Sequence, residues 1–383
     1  MTVEIFGTVA DGFEKVADVF AANFAEHGEV GAACAVRVGG EEVVDLWAGL
    51  ADPASGRAYT GDTLQLVFSS TKGVVSAAAH VLVQEGRLDL DAPVAEYWPE
   101  FAQNGKADLP VRWVLSHQAG LVGIDRVLSV DELCAWEPFV EALAAQAPLW
   151  EPGTAHGYHA ITFGHLVGEL IRRITGQGVG AYVRDHVAGP VGAEFHIGTP
   201  DADLDRVAPL LDFVGGPLGD DPDPTISAIL TPGSMTNRAF MIAPVYITHF
   251  NEPQLLQAEI PSANGCTSAR SLARIYGGLV SEVDGVRLLE PAQVDVARAE
   301  QAAGHDLVMV AENRLASGYW LPADGSPKLG PGSFGHAGLG GSLGCALPER
   351  EIGFAYVMNQ CQAHVTGDPR SEGLLEAVMA CTA

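Results

Sequence analysis

A helix that is apolar around nearly its whole circumference is the strongest constraint in this sequence. Residues 70–85 place valine, leucine and alanine on every face of a predicted helix, and such a helix is buried between other layers of a fold. Ser69 and Lys72 stand at its beginning, on one face because they are three residues apart. A lysine shielded from water loses its proton more readily and can activate a neighbouring serine. The alternative is a serine N-cap followed by a surface lysine.

Length, composition and charge place the chain among globular enzymes. It has 383 residues, of which 48% are hydrophobic and 18% charged, a balance typical of a folded protein with a large core. This length predicts two subdomains, or one domain that carries an insertion. The net charge of −27 opposes binding to nucleic acid and to anionic lipid, because both require a basic surface.

The cysteines and the N-terminus indicate the compartment. Six cysteines are scattered without a Cys-x-x-Cys pair, so neither a zinc ribbon nor a disulfide framework is predicted. The first residues lack a basic segment followed by an apolar one. No apolar run approaches the roughly 20 residues of a membrane span. We therefore expect a cytoplasmic enzyme that does not enter the membrane.

The order of predicted elements indicates an α+β fold. Strand patterns precede Ser69 and return after residue 317, whereas helical patterns fill the middle of the chain. This order predicts an antiparallel sheet flanked by helices, with a mostly helical insertion. We expect residues 1–68 and 262–383 to form the subdomain that holds the sheet. Residues 69–261 then form the helical subdomain, with the active site between the two.

Three segments of the middle region have patterns that predict a helix, a loop and part of the pocket wall. Residues 111–121 have a helical pattern that Gly120 closes. Residues 215–232 are rich in proline and glycine and predict a long loop at the rim of a substrate cleft. Residues 231–250 are expected to shape the pocket, and the side chains that would do so are Met235, Phe240, Met241 and Tyr246.

Two motifs offer partners for the serine. Tyr158 lies in a glycine-punctuated loop before a predicted helix, and a tyrosinate beside an ammonium group can act as a base, because a nearby cation lowers the pKa of a phenol. For Tyr158 alone, an ordinary packed aromatic is the alternative. Residues 335–342 are rich in glycine on or beside a strand. One backbone N–H there can join that of Ser69 in an oxyanion hole.

Taken together, these motifs resemble those of the serine β-lactamase and penicillin-binding-protein superfamily. Ser69 to Lys72, Tyr158 after Pro152, and His336 to Gly338 occur in the order and approximate spacing of that superfamily. The chain looks most like the class C-related branch that holds the family VIII carboxylesterases. The resemblance runs over nearly the whole chain and implies a β-lactamase-like fold.

The resemblance implies a role for each matched residue. Ser69 would attack an ester carbonyl and form an acyl-enzyme that water cleaves, while Lys72 and Tyr158 share the proton transfers. The backbone N–H groups of Ser69 and Leu339 would hold the oxyanion. Which of Lys72 and Tyr158 is the formal base stays open, because coupled groups titrate as a pair. The predicted substrate-binding residues are His159, His336, Ala337 and Gly338.

Two positions depart from the β-lactamase pattern. Ala160 stands where the motif Tyr-x-Asn has its asparagine, so the amide that helps to bind the acylamino group of a β-lactam is absent. His336 replaces the lysine that begins the third motif, and a histidine near its reference pKa of about 6.5 is mostly neutral at pH 7. Both changes favour a neutral ester over an anionic, amide-bearing substrate.

Two other patterns are typical of different kinds of site, a nucleophile elbow and a metal site. Residues 340–344 match Gly-x-Ser-x-Gly, but a strand pattern follows where the nucleophile elbow of an α/β-hydrolase needs a helix. We therefore expect Ser342 to be structural. His156, His159 and His165 lie close in sequence without a carboxylate or thiolate at ligand spacing, so no metal site is predicted.

These observations predict a serine carboxylesterase that acts on small esters of short acyl chains and uses no metal or organic cofactor. The enzymatic alternatives are a β-lactamase, a D-amino-acid peptidase, and an acyltransferase that uses the same acyl-enzyme. A non-catalytic sensor of acyl ligands is the alternative from another class of protein. The sequence leaves open the natural ester, its chirality and the oligomeric state.

Overall fold

The computed structural model describes residues 3–214, 216, 223–323, 328–365 and 367–382. The strands in these residues are β1 Ile5–Val9, β2 Gly31–Val38, β3 Glu41–Asp52, β4 Arg57–Ala58, β5 Leu64–Leu66, β6 Phe195–His196, β7 Val207–Ala208, β8 Cys266–Thr267, β9 Ala302–Asp306, β10 Ala311–Leu315, β11 Phe334–Ala337, β12 Leu343–Leu347 and β13 Ile352–Met358.

The α-helices of the same residues are α1 Glu14–Glu26, α2 Ser70–Gln84, α3 Val94–Tyr97, α4 Val111–Leu115, α5 Val130–Cys134, α6 Trp136–Ala145, α7 Thr162–Thr175, α8 Val179–Val183, α9 Pro224–Ile229, α10 Met235–Phe240, α11 Pro253–Gln257, α12 Ala269–Val280, α13 Pro291–Arg298 and α14 Pro369–Cys381. None of the helices in the described part of the chain has both the length and the apolar content to cross a bilayer.

The main sheet joins the two ends of the chain. Its order is β1-β3-β2-β13-β12-β11, with β4 paired to β3, and the neighbouring strands are antiparallel. In its centre β13 pairs with β2, so that Tyr356 lies opposite Cys34. This sheet, with the helices that pack on it, confirms the predicted α+β fold. The predicted subdomain boundaries remain a prediction.

Helix α2 lies between the sheet and the helical region. It contacts β11 as well as α7 and α8, and the side chains of Val74, Ala77 and Ala79, which point in different directions around the helix, are fully buried. The sequence predicts this burial, because a helix that is apolar all round has no face suited to water. The burial also takes Lys72, one turn into the helix, out of water.

A smaller sheet brings distant segments to the beginning of α2. Its order is β6-β8-β5-β7, and β5 pairs with β8 so that Leu66 lies opposite Cys266. The backbone N–H of Val67 continues this pairing by donating to the Gly265 carbonyl, at 2.9 Å. As a result, residues just before β8 approach the residues that follow β5.

Two segments of the middle region have a secondary structure that differs from the predicted one. The helix predicted over 111–121 ends at Leu115, because His117 adopts a left-handed conformation with φ 61°. The loop predicted over 215–232 is wrong for residues 224–229, which form α9. Asp223 caps this helix by accepting from the N–H of Thr225, and Pro224 occupies its first turn. Residues 215 and 217–222 of the predicted loop lie outside the described residues.

Candidate active site

Ser69 occupies the turn between β5 and α2. The residue before it, Phe68, has φ 40°, a left-handed conformation that an aromatic side chain rarely adopts and that costs about 1–3 kcal/mol. Val67 is held on both sides of its peptide, since its N–H donates to Gly265 and its carbonyl accepts from Ser342 Oγ at 2.7 Å. The surrounding bonds thus maintain the strained turn that presents the serine.

Lys72 is placed to activate Ser69. Its side chain is fully buried, and Nζ lies 2.9 Å from Ser69 Oγ and 3.0 Å from the carbonyl oxygen of Ser262. Burial lowers the pKa of Lys72 well below its ordinary value, because the ammonium form loses its hydration. Lys72 Nζ donates to both oxygens in this arrangement, and a neutral amine at the same distance could accept the serine proton instead.

Tyr158 lies beside the same pair. The Lys72 Nζ atom is 4.8 Å from the centre of the Tyr158 ring, and Tyr158 and Ser69 line the same small cavity. Burial raises the pKa of Tyr158, and the neighbouring Ser69 side chain only partly opposes this shift. The expectation that an ammonium group lowers the pKa of this phenol is therefore wrong. Burial disfavours both charges and therefore favours a neutral lysine beside a neutral phenol.

Three buried side chains fix the loop that carries Tyr158. Asp306 Oδ1 accepts from the backbone N–H of Tyr158 at 3.0 Å. His117 Nδ1 accepts from the N–H of His159 at 3.0 Å, and His159 Nε2 accepts from the N–H of Leu121 at 3.1 Å. Burial lowers the pKa of His159 to about 4, and a neutral ring is what the role of acceptor requires. The loop is thus bonded to two other segments.

His159 therefore has a different place from the predicted one. Its second ring nitrogen lies 2.7 Å from the Gly157 carbonyl, so both nitrogens are bonded to backbone, and the side chain is fully buried. His159 lines neither of the cavities that Ser69 lines, so this arrangement does not give it the predicted contact with substrate. It is the neighbouring Ala160 that lines the cavity next to Ser69.

The third motif lies on β11 and the loop that follows. His336 Nδ1 donates to the carbonyl oxygen of Ala337 at 2.7 Å, and burial lowers the pKa of His336 well below its ordinary value. Gly338 donates from its N–H to the carbonyl oxygen of Ser342 at 2.7 Å, which closes the loop. A Cβ atom at Gly338 would clash with the Val67 carbonyl. Only glycine allows this close approach, which brings Leu339 to the cavity that Ser69 also lines.

Ser342 is structural, as predicted. It is buried, its Oγ donates to the Val67 carbonyl, and it lies 3.2 Å from Ser70 Oγ. Strand β12 follows it directly, so residues 340–344 lack the helix of a nucleophile elbow.

Ser69 lines two cavities. The larger has a volume of about 330 Å³, and its walls are mostly apolar side chains from α9 and from residues 240–250. The smaller has a volume of about 20 Å³ and lies among Tyr158, Trp320 and His336. Both cavities also reach Leu339. Ser69 therefore borders both a large apolar cavity and a small cavity with polar side chains.

Comparison with known proteins shows which family the chain belongs to. The profile described as Beta-lactamase matches residues 16–378. The chain belongs to the beta-lactamase family. It is 37% identical over 371 residues to the esterase/beta-lactamase LipL of Mycobacterium tuberculosis, covering 93% of this chain and 83% of that protein.

Solved structures of the family superpose over nearly the whole chain. The crystal structure of a family VIII carboxylesterase has a TM-score of 0.90 and 38% identity, with 99% of this chain and 100% of that chain covered. EstA of Arthrobacter nitroguajacolicus Rue61a has a TM-score of 0.88 and 31% identity, with coverages of 100% and 99%. These matches confirm the family prediction, the β-lactamase-like fold and the assignment to the serine hydrolases.

Sequence reasoning missed several residues of this beta-lactamase-family site. His117 lies in a segment that supports the family resemblance, but a helix pattern gave no sign that its ring would meet Tyr158, with ring centres 5.0 Å apart. Asp306 follows no recognisable motif, and Ser262 acts through its backbone carbonyl, which no sequence pattern reveals. Trp320, which lines the small cavity together with Ser69, lies outside every motif of the sequence.

One group of possible metal ligands lies apart from Ser69. Within the described residues, Glu194, His196 and Asp203 bring ligand atoms within 4.8 Å of one another. Arg206 bonds to both carboxylates of this group, at 2.7 and 2.9 Å. The guanidinium already supplies the positive charge there, so the group is an ion-pair cluster.

Proposed function

We propose that this protein hydrolyses small, neutral carboxylic esters through an acyl-enzyme on Ser69. The observation that carries the proposal is the buried contact of 2.9 Å between Lys72 Nζ and Ser69 Oγ. Burial of the lysine favours its neutral form, and a neutral amine can accept the serine proton directly. The identities with an esterase/beta-lactamase and with a family VIII carboxylesterase support the same reaction.

Acylation begins when Lys72 takes the proton of Ser69 as Oγ attacks the ester carbonyl. The backbone N–H groups of Ser69 and Leu339 hold the resulting oxyanion. Tyr158, which lines the small cavity together with Ser69, passes a proton to the oxygen of the leaving alcohol. Water then attacks the acyl carbon, and the same groups return a proton to Ser69.

The walls of the site favour an ester over a β-lactam. Ala160 contributes a methyl group to the large cavity, where the β-lactamase pattern has an amide. His336 is buried and uncharged because its pKa is lowered, so it does not attract a carboxylate. A D-amino-acid peptidase is disfavoured for the same reason, since its substrates carry charge. An acyltransferase needs only an alcohol in place of water, and the assay below separates it.

The test is a side-by-side assay of p-nitrophenyl acetate, butyrate and octanoate against a chromogenic cephalosporin. Wild type should turn over the esters, Ser69→Ala should lose this activity by at least about a thousandfold, and Ser342→Ala, which removes only a supporting bond to the Val67 carbonyl, should lose far less. Faster turnover of the cephalosporin would instead make the protein a β-lactamase. Turnover that appears only when an alcohol is added would make it an acyltransferase, and no turnover at all would point to a sensor.

The predicted partner is thus a small-molecule ester, and no cofactor enters the proposed reaction. The charge of −27 continues to argue against nucleic acid as a ligand. A cytoplasmic location stays a prediction from the sequence.

A further inference from the structure

Three rings enclose the small cavity next to Ser69. The ring centres of Tyr158 and Trp320 are 5.4 Å apart, those of Trp320 and His336 are 5.7 Å apart, and those of Tyr158 and His336 are 5.9 Å apart. Between them lies the space of about 20 Å³, which Ser69 also lines. This space therefore borders the serine directly.

Two polar atoms of these rings have no hydrogen-bond partner. Within the described part of the chain, neither Trp320 Nε1 nor His336 Nε2 is bonded, and both atoms are buried. Because His336 Nδ1 donates to Ala337, Nε2 carries a lone pair and is an acceptor. Trp320 Nε1 can only donate. Buried polar atoms of this kind are normally satisfied, and an unlocated water or ligand group is an established reason when they are not.

The two atoms are a donor and an acceptor on neighbouring rings that line one cavity, and a hydroxyl group offers the complementary pair. Its oxygen can accept from the Trp320 N–H while its hydrogen is donated to His336 Nε2. The space of about 20 Å³ exceeds the roughly 10–15 Å³ that one water molecule requires. It is far smaller than the cavity of about 330 Å³ that Ser69 also lines. An acyl chain therefore has room only in the large cavity, which leaves the small cavity to the oxygen that enters or leaves.

We propose that Trp320 and His336 form a hydroxyl-binding site that holds the alcohol oxygen during acylation and the attacking water during deacylation. This inference rests on the proposed acyl-enzyme on Ser69. The two oxygens occupy one site because deacylation by water is the reverse of acylation with water in place of the alcohol.

The steps balance through the neighbouring groups. In acylation, the bond from the ester carbon to the alcohol oxygen breaks, and the proton from Ser69 reaches that oxygen through Lys72 and Tyr158. In deacylation, the water oxygen bonds to the acyl carbon and the bond to Ser69 Oγ breaks. The proton lost by the water travels through Tyr158 and Lys72 back to Oγ.

The variant Trp320→Phe tests the site, because it keeps the aromatic ring and removes the N–H. With p-nitrophenyl acetate the leaving phenolate needs no proton, so acylation should stay near the wild-type rate. Deacylation should slow by about tenfold, as expected for the loss of one hydrogen bond to the attacking water. Stopped-flow should then show a burst of p-nitrophenol, and mass spectrometry should show an acetyl group retained on the protein.

Tyr319→Phe is the matched control. Its hydroxyl is also buried and has no partner within the described residues, but Tyr319 does not line the small cavity. We expect this variant to keep both rates. An equal slowing in Tyr319→Phe, or a wild-type deacylation rate in Trp320→Phe, would overturn the proposal.

A second variant covers the case in which Trp320→Phe fails to fold. His336→Phe removes the acceptor and should also accumulate acyl-enzyme, and it should slow hydrolysis and methanolysis together, because water and methanol use one site. Slowing of hydrolysis alone would contradict a shared hydroxyl site. If the wild type never becomes acylated on Ser69, the proposed function fails, which is a different result from normal acylation with unchanged deacylation in both variants.

Discussion

Burial determines the protonation of the basic side chains around Ser69. The pKa of Lys72 is lowered because the ammonium form loses its hydration, and the pKa values of His117 and His336 are lowered for the same reason. The uncharged form of each group is therefore favoured, and this form has a lone pair that can accept. An uncharged lysine can accept the serine proton without a charged partner. The burial of α2 on every face thus contributes to catalysis, because it keeps water away from Lys72.

The pH dependence of the reaction follows from the lysine. A base must be unprotonated, so kcat/KM should rise with pH through the lowered pKa of Lys72 and stay level through the ordinary lysine value of about 10.4. Lys72→Arg should lose activity by at least about a thousandfold at every pH, because a guanidinium is not deprotonated. A pH profile of both proteins checks this. A wild-type limb centred near the ordinary lysine value would show that burial does not set the base.

Tyr158 should matter most for esters whose leaving group needs a proton. Tyr158→Phe removes the hydroxyl of a side chain that lines the small cavity together with Ser69, and general acid catalysis contributes about 10²–10⁴-fold. The loss in kcat/KM should approach this range for ethyl butyrate and be smaller for p-nitrophenyl butyrate. Tyr182→Phe, which removes a buried hydroxyl on α8, is the control and should keep both rates. Equal losses for the two esters in Tyr158→Phe would contradict a role in protonating the alcohol.

At the scale of elements, α9 and the segment that follows form the wall of the large cavity. Ile229 on α9 and Tyr246, Phe250 and Met241 beyond it all line this space. The sequence predicts that residues 231–250 shape the pocket, and the structure places Phe240, Met241 and Tyr246 of the four named side chains in its wall. Helix α9 adds residues that the sequence assigned to a loop.

Filling this cavity should shorten the preferred acyl chain. Ile229→Trp adds bulk to the wall, and each methylene that can no longer be buried costs about 0.8 kcal/mol, roughly fourfold in kcat/KM. The ratio of p-nitrophenyl octanoate to acetate turnover should fall by at least about tenfold. Val296→Trp, at an exposed position on α13, is the matched control. An unchanged ratio in Ile229→Trp would show that the acyl chain lies elsewhere.

Elements whose pattern is local could be predicted, whereas the site needed contacts between distant segments. Helix α2 and the hairpin of β2 and β3 follow from periodicity and a glycine-rich turn. Helix α4 ends early because His117 turns out of it to meet Tyr158, a tertiary contact that outweighs helical propensity. The Ser69 and Lys72 pair could be predicted because both lie on one helix. Asp306, which lies 148 residues from Tyr158, could not.

At the scale of the molecule, a buried ion network connects the two ends of the chain. Arg370, at the beginning of α14, bonds to Glu29 at 3.0 Å and to Asp368 at 2.8 Å, and the side chains of Arg370 and Glu29 are fully buried. The same guanidinium donates to the carbonyl oxygen of Gly340 at 2.6 Å. Gly340 directly follows Leu339, so the network that joins the termini also supports the loop of the predicted oxyanion hole.

Removal of this arginine should destabilise the whole fold. Arg370→Met leaves two buried carboxylates without their cation, which costs about 3–5 kcal/mol, and urea unfolding should show this loss. Arg314→Met breaks the exposed pair with Glu300, at 2.7 Å, and should cost less than about 1 kcal/mol. Arg370→Lys keeps the positive charge, but a single ammonium group cannot replace all the bonds of the guanidinium to Glu29, Asp368 and Gly340. Its loss in the free energy of unfolding should therefore lie between the losses of the other two variants. Equal stability of the Arg370→Met and Arg314→Met variants would show that the network does not join the ends of the chain energetically.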